Sequence, residues 1–226
     1  MAHRLKWLSH SGWQITAANG SVYLIDPWLS QNPVAPLKIE DLPQAAYVLL
    51  THDHGDHAGD AVAVTKHTGA TLVGQPETVG RYNKAGAEKV LGMNIGGSVD
   101  LGGVIVTMVD AYHSSETGTP AGYVLSFDDG KVLYHAGDTG LHCNMATWGE
   151  LFTIDVALLP IGGHYTMDGR QAAKALRMLK PKKVLPMHYK TFPVLAATAD
   201  DFLREAAREA PQTEVVVIEA GQDIEF

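Results

Sequence analysis

The run His52-Asp53-His54-Gly55-Asp56-His57 places three imidazoles and two carboxylates in six positions, directly after the apolar stretch Tyr47-Val48-Leu49-Leu50. A short apolar run bounded by polar residues reads as a buried strand, and imidazole is the commonest metal ligand among side chains. In an extended segment residues i and i+2 point the same way, so His52 and His54 can grip one ion. Gly55 permits a sharp turn that sends Asp56 and His57 toward a second. A strand ending on such a cluster constrains the rest of the chain, because the remaining ligands have to arrive from elsewhere in the sequence.

The surrounding patterning supplies strands for that purpose. Residues 4–9, 13–18 and 21–25 read as a meander, with Asn19-Gly20 as a hairpin turn. Residues 27–43 hold four prolines (Pro27, Pro33, Pro36 and Pro43) and read as an irregular loop, of a length that is often functional. After a strand at 46–50 come a helix over 58–67, a strand over 70–73 and a helix over 76–85 opened by Pro76. Strands are expected over 104–110 and 122–127, the latter turning through Asp128-Asp129-Gly130 into 131–135. The remainder predicts a helix over 144–151, a buried strand over 155–159 and a helix over 171–179. Asp168 caps that helix and Pro181 follows it as a stop. A strand over 184–187, a helix over 199–209 and a strand over 214–219 complete the chain. Strands followed by mixed strands and helices, twice over, predict two sheets with outer helices rather than one doubly wound sheet.

With 226 residues the chain is expected to form a single domain spanning 1–226. Its net charge of −8, with no basic run longer than Lys180-Pro181-Lys182-Lys183, disfavours nucleic acid as a partner. A small anionic substrate stays open, because bound metal ions reverse the local field of an acidic protein. The single cysteine, Cys143, excludes internal disulfides and fits a reducing compartment. The N-terminus has no apolar signal core, and no stretch approaches the roughly 18 apolar residues of a membrane span. The expectation is a cytoplasmic protein acting on a small molecule, away from membranes. A homo-oligomer is compatible with the sequence, with Trp28 and Trp148 as candidate interface residues.

Three further candidate ligands follow predicted strands: His113, Asp138 in Gly137-Asp138-Thr139, and His188. Together these motifs resemble the metallo-β-lactamase superfamily, whose His-x-His-x-Asp-His signature is complete here and whose later ligand positions match in order. The opening Trp7-Leu8-Ser9-His10-Ser11 and the segment Pro160-Ile161-Gly162-Gly163 are similar to the branch of uncharacterised metal-dependent hydrolases related to L-ascorbate-6-phosphate lactonase. The resemblance implies an α/β fold, the αβ/βα four-layer sandwich of two mixed sheets with outer helices. It implies that His52, His54 and His113 bind a first metal, Asp56, His57 and His188 a second, and that Asp138 bridges them. Two divalent ions follow, zinc foremost, with manganese, iron or nickel also suited to nitrogen and oxygen ligands.

Three neutral imidazoles leave the first ion its full charge, and two carboxylates let the ions approach to about 3.5–4 Å. A hydroxide shared by both ions is the expected nucleophile, ionised near pH 7, and Asp56 and Asp138 are the candidate catalytic carboxylates. His164 and His10 are candidates for substrate binding, and Asp26 for a supporting partner of a ligand imidazole. His135 is expected to be buried and hydrogen-bonded, His3, His67 and His142 to lie on the surface, and Cys143 to be a small packed side chain. The expected activity is hydrolysis of a small anionic ester, lactone or phosphodiester. The alternatives are a non-catalytic, metal-binding regulator on the same fold and a di-iron redox protein of the flavodiiron type. The second usually has a glutamate at the position of His54.

Overall fold

In the computed structural model, which describes residues 2–226, the chain divides into two units. The first comprises the residues up to Gly97 together with Ser114–Thr119 and Ile218–Phe226, and the second Ser98–His113 and Pro120–Val217.

In the first unit, β1 (Arg4–Trp7), β2 (Trp13–Thr16) and β3 (Val22–Ile25) form an antiparallel meander. The predicted Asn19-Gly20 turn lies between β2 and β3, with Gly20 in the left-handed conformation it favours (φ 88°). From β3 the pairing becomes parallel. β4 (Tyr47–Leu49) is followed by α1 (Gly55–Ala58), α2 (Ala61–Thr68), β5 (Thr71–Gly74), α3 (Pro76–Lys84) and β6 (Val90–Gly92). Leu24, Val48 and Leu72 of adjacent strands form one apolar cluster with Ala61 and Val64 of α2 and Val79 of α3. Burying them is worth about 1.5–3 kcal/mol for each large aliphatic side chain.

The second unit repeats the pattern. β7 (Ser98–Asp100), β8 (Val104–Asp110), β9 (Ala121–Phe127) and β10 (Val132–His135) pair antiparallel. Beyond β10 come α4 (Asn144–Leu151), β11 (Val156–Pro160), α5 (Gly169–Leu179), β12 (Lys183–Met187), α6 (Asp200–Glu209) and β13 (Glu214–Val215), and these strands pair parallel. Asp168 caps α5, accepting from the Gln171 amide at 2.7 Å. The last strand, β14 (Asp223–Glu225), pairs with β1 in the first unit. Among the described residues each sheet therefore has seven strands, part antiparallel and part parallel. Two sheets are what the patterning predicts, and their mixed pairing is what the family resemblance implies.

Several local expectations are corrected. Gly55 makes no glycine-specific turn, being absent from the left-handed glycines. It opens α1, so Asp56 and His57 ride on a helical turn whose first bonds run back to the His54 carbonyl. The helix expected over 58–67 is α1 and α2 in succession, and the strand expected over 214–219 shortens to β13. β6, β7 and β14 escape the sequence reading. The loop over 27–43 is irregular apart from a 3-10 turn at Ile39–Asp41. Among the described residues, no helix is long and apolar enough to cross a membrane.

Candidate metal centre

In both units the candidate ligands stand just beyond the carboxyl ends of strands, where ligands of open α/β sheets commonly bind. In the first unit, β3 is followed by Asp26, which is fully buried and has a left-handed backbone (φ 44°) that short polar residues tolerate best. Its Oδ1 accepts from the Thr51 amide at 2.9 Å, and its Oδ2 from the Thr51 hydroxyl at 2.6 Å. The same Oδ2 lies 2.8 Å from His57 Nδ1. With Nδ1–H donated to a carboxylate, His57 Nε2 is the nitrogen left to ligate a cation.

A parallel chain reaches His52. The Thr51 hydroxyl, donating to Asp26, lies 3.0 Å from His52 Nδ1 and can accept its proton. His52 Nε2 lies 3.0 Å from His54 Nδ1, and His54 Nε2 lies 3.4 Å from Ser114 Oγ. With the outer nitrogens protonated, the lone pairs of Nε2 and Nδ1 converge on one point, the arrangement of two imidazole ligands on one ion. Ligand atoms of Asp26, His52 and His57 also lie within 4.8 Å of one another, close enough to hold a cation. The donor set therefore fits a metal.

His10 is buried, with Nε2 3.1 Å from Asp56 Oδ2 and its ring edge-on to Trp28 and His57 at 5.5 and 5.6 Å. Consecutive left-handed residues Ser9 and His10 (φ 78° and 52°) make the turn that carries it there. The structure thus sets His10 against the carboxylate of Asp56.

In the second unit, Asp138 Oδ2 lies 2.8 Å from His188 Nε2 and 3.7 Å from His113 Nε2. Thr139 ties the Asp138 segment to that of His113 and to the loop before α5. Its hydroxyl accepts from the Tyr112 amide at 2.9 Å, and its carbonyl accepts from the Met167 amide at 3.0 Å. His188 is left-handed (φ 55°), and a Cβ on Gly162 would come within 2.2 Å of its carbonyl oxygen. Only glycine lets that loop pass so close to the ligand's backbone. His164 is exposed, its ring edge-on to Tyr165 at 4.5 Å.

His135 is fully buried and accepts from the Gly137 amide at 3.0 Å, as expected. His67 lies on the surface as expected, but His3 and His142 do not. His3 stacks on Phe226 and accepts from the Ala18 amide, while His142 stacks on Tyr112. Cys143 is exposed rather than packed. Trp28 is buried, and Trp148 donates its indole N–H to Asp110.

Two carboxylates to which the sequence reading gives no role, Asp53 within the run and Asp60 after it, organise loops around the histidines. Asp60 accepts from the Leu29 and Ser30 amides at 2.6 and 2.8 Å and from the Ser30 hydroxyl, pinning the start of the proline-rich loop. Burial alone would raise the Asp53 pKa, but bonds from the Ser115 and Thr117 hydroxyls and the Glu116 and Thr117 amides outweigh it. They hold the carboxyl below its ordinary range. Neither residue has a sequence signature, because a carboxylate beside metal-binding histidines reads as a further ligand or as filler.

A family model described as "Beta-lactamase superfamily domain" matches residues 22–189. A "UPF0173 metal-dependent hydrolase" of Nitratidesulfovibrio vulgaris is 44% identical over 229 residues, covering 99% of this chain and 95% of its own. One from Methanopyrus kandleri is 45% identical over 231 residues, covering 98% of this chain and 99% of its own. Among solved structures, Igni18, a metallo hydrolase of Ignicoccus hospitalis, aligns with a TM-score of 0.92 at 37% identity, covering 100% of this chain and 99% of that one. The chain belongs to the β-lactamase superfamily and, within it, to the UPF0173 metal-dependent hydrolase family.

Proposed function

We propose that this protein is a dinuclear metallohydrolase acting on a small anionic ester, lactone or phosphodiester. The observation that carries the reading is Asp138. One of its oxygens faces both His188 and His113, at 2.8 and 3.7 Å, and family resemblance assigns those imidazoles to different ions. In this reading His52, His54 and His113 hold one ion, and Asp56, His57 and His188 hold the other. Two divalent ions, zinc foremost, would supply a water ionised near pH 7 and polarise the attacked carbonyl or phosphoryl group.

The chain's own residues prepare that chemistry. Asp26 and Thr51 fix the tautomers of His57 and His52, so each presents Nε2 as a neutral ligand. Neutral imidazoles leave positive charge on the site, while Asp56 and Asp138 offset part of it. His10 Nε2, 3.1 Å from Asp56 Oδ2, holds that carboxylate where it orients the attacking water. His164 is exposed on its glycine-flanked loop, and its exposure supports the reading that it meets substrate. The relatives named as metal-dependent hydrolases support the reaction class.

The test is p-nitrophenol release from bis(p-nitrophenyl) phosphate and from a panel of lactones by zinc- or manganese-loaded protein, with Asp138→Ala alongside. Turnover in the wild type should fall at least about 100-fold in the variant, the upper end of the cost of losing even an outer-shell partner. Equal turnover in both proteins would refute the assignment of Asp138.

A further inference from the structure

Asp53 sits between two proposed ligands, and alternation along an extended segment turns its side chain away from both. That side chain is completely enclosed. Its Oδ1 accepts from Ser115 Oγ at 2.6 Å and the Glu116 amide at 2.8 Å. Its Oδ2 accepts from the Thr117 amide at 2.9 Å, the Thr117 hydroxyl and Arg81 Nη1 at 3.1 Å. A buried carboxylate with this many donors is a structural hub, because hydrogen bonds to a charged acceptor are stronger than neutral ones and hold every donor to it.

All these donors except Arg81 come from Ser114–Thr119, a segment of the first unit without regular secondary structure. Further contacts tighten it. Thr78 Oγ1 donates to the Thr117 carbonyl at 3.0 Å, the Thr119 amide donates to Gln75 Oε1, and Arg81 donates to Glu116 at 2.6 Å. Gly118 is left-handed (φ 67°), and a Cβ there would lie 2.5 Å from Gln75 Oε1. The segment begins at Ser114, whose Oγ lies 3.4 Å from His54 Nε2.

We propose that Asp53 is a positioning residue. By fixing residues 114–119 it holds the Ser114 hydroxyl behind His54, which keeps the proton on Nε2 and turns the Nδ1 lone pair toward the point faced by His52 Nε2. Asp26 does the corresponding service for His52 and His57, so the outer nitrogens of the motif's three imidazoles are assigned from two places in the unit, Asp26 with Thr51 and the Ser114 segment. The inference rests on the metal-binding reading of His54.

The experiment compares wild type with Asp53→Asn and Ser114→Ala by two readouts. The first is the His54 imidazole tautomer in metal-free protein, read from nitrogen-15 shifts. The second is zinc affinity by competition with a chromophoric chelator. In Asp53→Asn an amide N–H₂ faces donors that the carboxylate accepted from, so the segment should loosen. Both variants are expected to lose the pure Nε2–H form and to bind the first zinc about 10–100-fold more weakly. Ser114→Ala removes only one hydroxyl and keeps the test open should Asp53→Asn fail to fold. A wild-type tautomer and wild-type affinity in Ser114→Ala, or in folded Asp53→Asn, would overturn the proposal. A wild type that binds no zinc would instead overturn the metal reading, while the tautomer of the metal-free protein would still decide the role of Asp53.

Discussion

Asp26 serves two imidazoles at once, one directly through His57 Nδ1 and one through the hydroxyl of Thr51. One buried carboxylate thereby sets two tautomers, and its charge is absorbed by three donors. A different balance governs His142, a buried ring stacked on Tyr112 at 4.7 Å. Burial pushes its pKa below the ordinary 6.5, against the opposing pull of Asp110, whose Oδ2 lies 3.6 Å from Nδ1. An imidazole whose folded pKa is depressed contributes stability above the unfolded value, and that stability is lost as pH falls through the folded value. His142→Phe, which can keep the stack, should therefore lose less melting temperature than wild type between about pH 7.5 and about pH 5. A drop as large as in wild type would contradict it. At this scale the run from His52 to His57 was legible because chemistry-bearing residues were concentrated in it. Asp26 was legible as a strand-end carboxylate suited to support a ligand imidazole, but which imidazole it would meet was not. The roles of Asp53 and Asp60 were invisible, since they depend on loops 30 or more positions away in the chain that periodicity does not locate. His142 misled because a lone polar residue in a loop reads as solvent-exposed.

Segments that follow strand ends carry His52, His54, His113, Asp138 and His188, while Asp56 and His57 ride on α1, and the loops between set the detail. Gly162 shows how closely two such loops are matched, since an added methyl would meet the His188 carbonyl at 2.2 Å. Gly162→Ala is expected to cost about 1–3 kcal/mol through overpacking and, by displacing His188, to weaken zinc binding about 10–100-fold. Thermal melting and a zinc titration measure the two effects, and wild-type values in both would contradict the assignment. The elements legible in the sequence were those with long apolar or amphipathic signals. α4 matches its expected range, and α5 extends its expected range by two residues to start directly after the Asp168 cap. β6, β7 and β14 were missed because each has three residues and presents mostly partly or fully exposed side chains. No alternation of buried and exposed positions can develop over that length. α1 was misread because glycine suggests a turn, whereas backbone bonds to the His54 carbonyl make it the first residue of a helix.

Across the whole molecule, alternation of strand and helix signals was enough to predict two sheets with outer helices, while the family resemblance implied that each is mixed, an antiparallel meander continued by parallel strands joined through helices. The acidic balance of −8 is not distributed as a simple surface charge. Asp26, Asp53, Asp60 and Asp138 are all buried and engaged with imidazoles, amides or hydroxyls. Such buried carboxylates are costly unless paired. Here Asp26 and Asp53 are paired with groups around the proposed metal ligands, Asp138 faces His113 and His188, and Asp60 fastens the start of the proline-rich loop. The measurement that reaches the central claim most directly is the metal content per chain by elemental mass spectrometry. Wild type and Asp138→Ala would each be saturated with zinc and passed over a chelating resin. Two zinc ions per chain are expected in the wild type, falling to one or fewer in Asp138→Ala. One ion or none in the wild type, or two in both proteins, would contradict a centre bridged by Asp138.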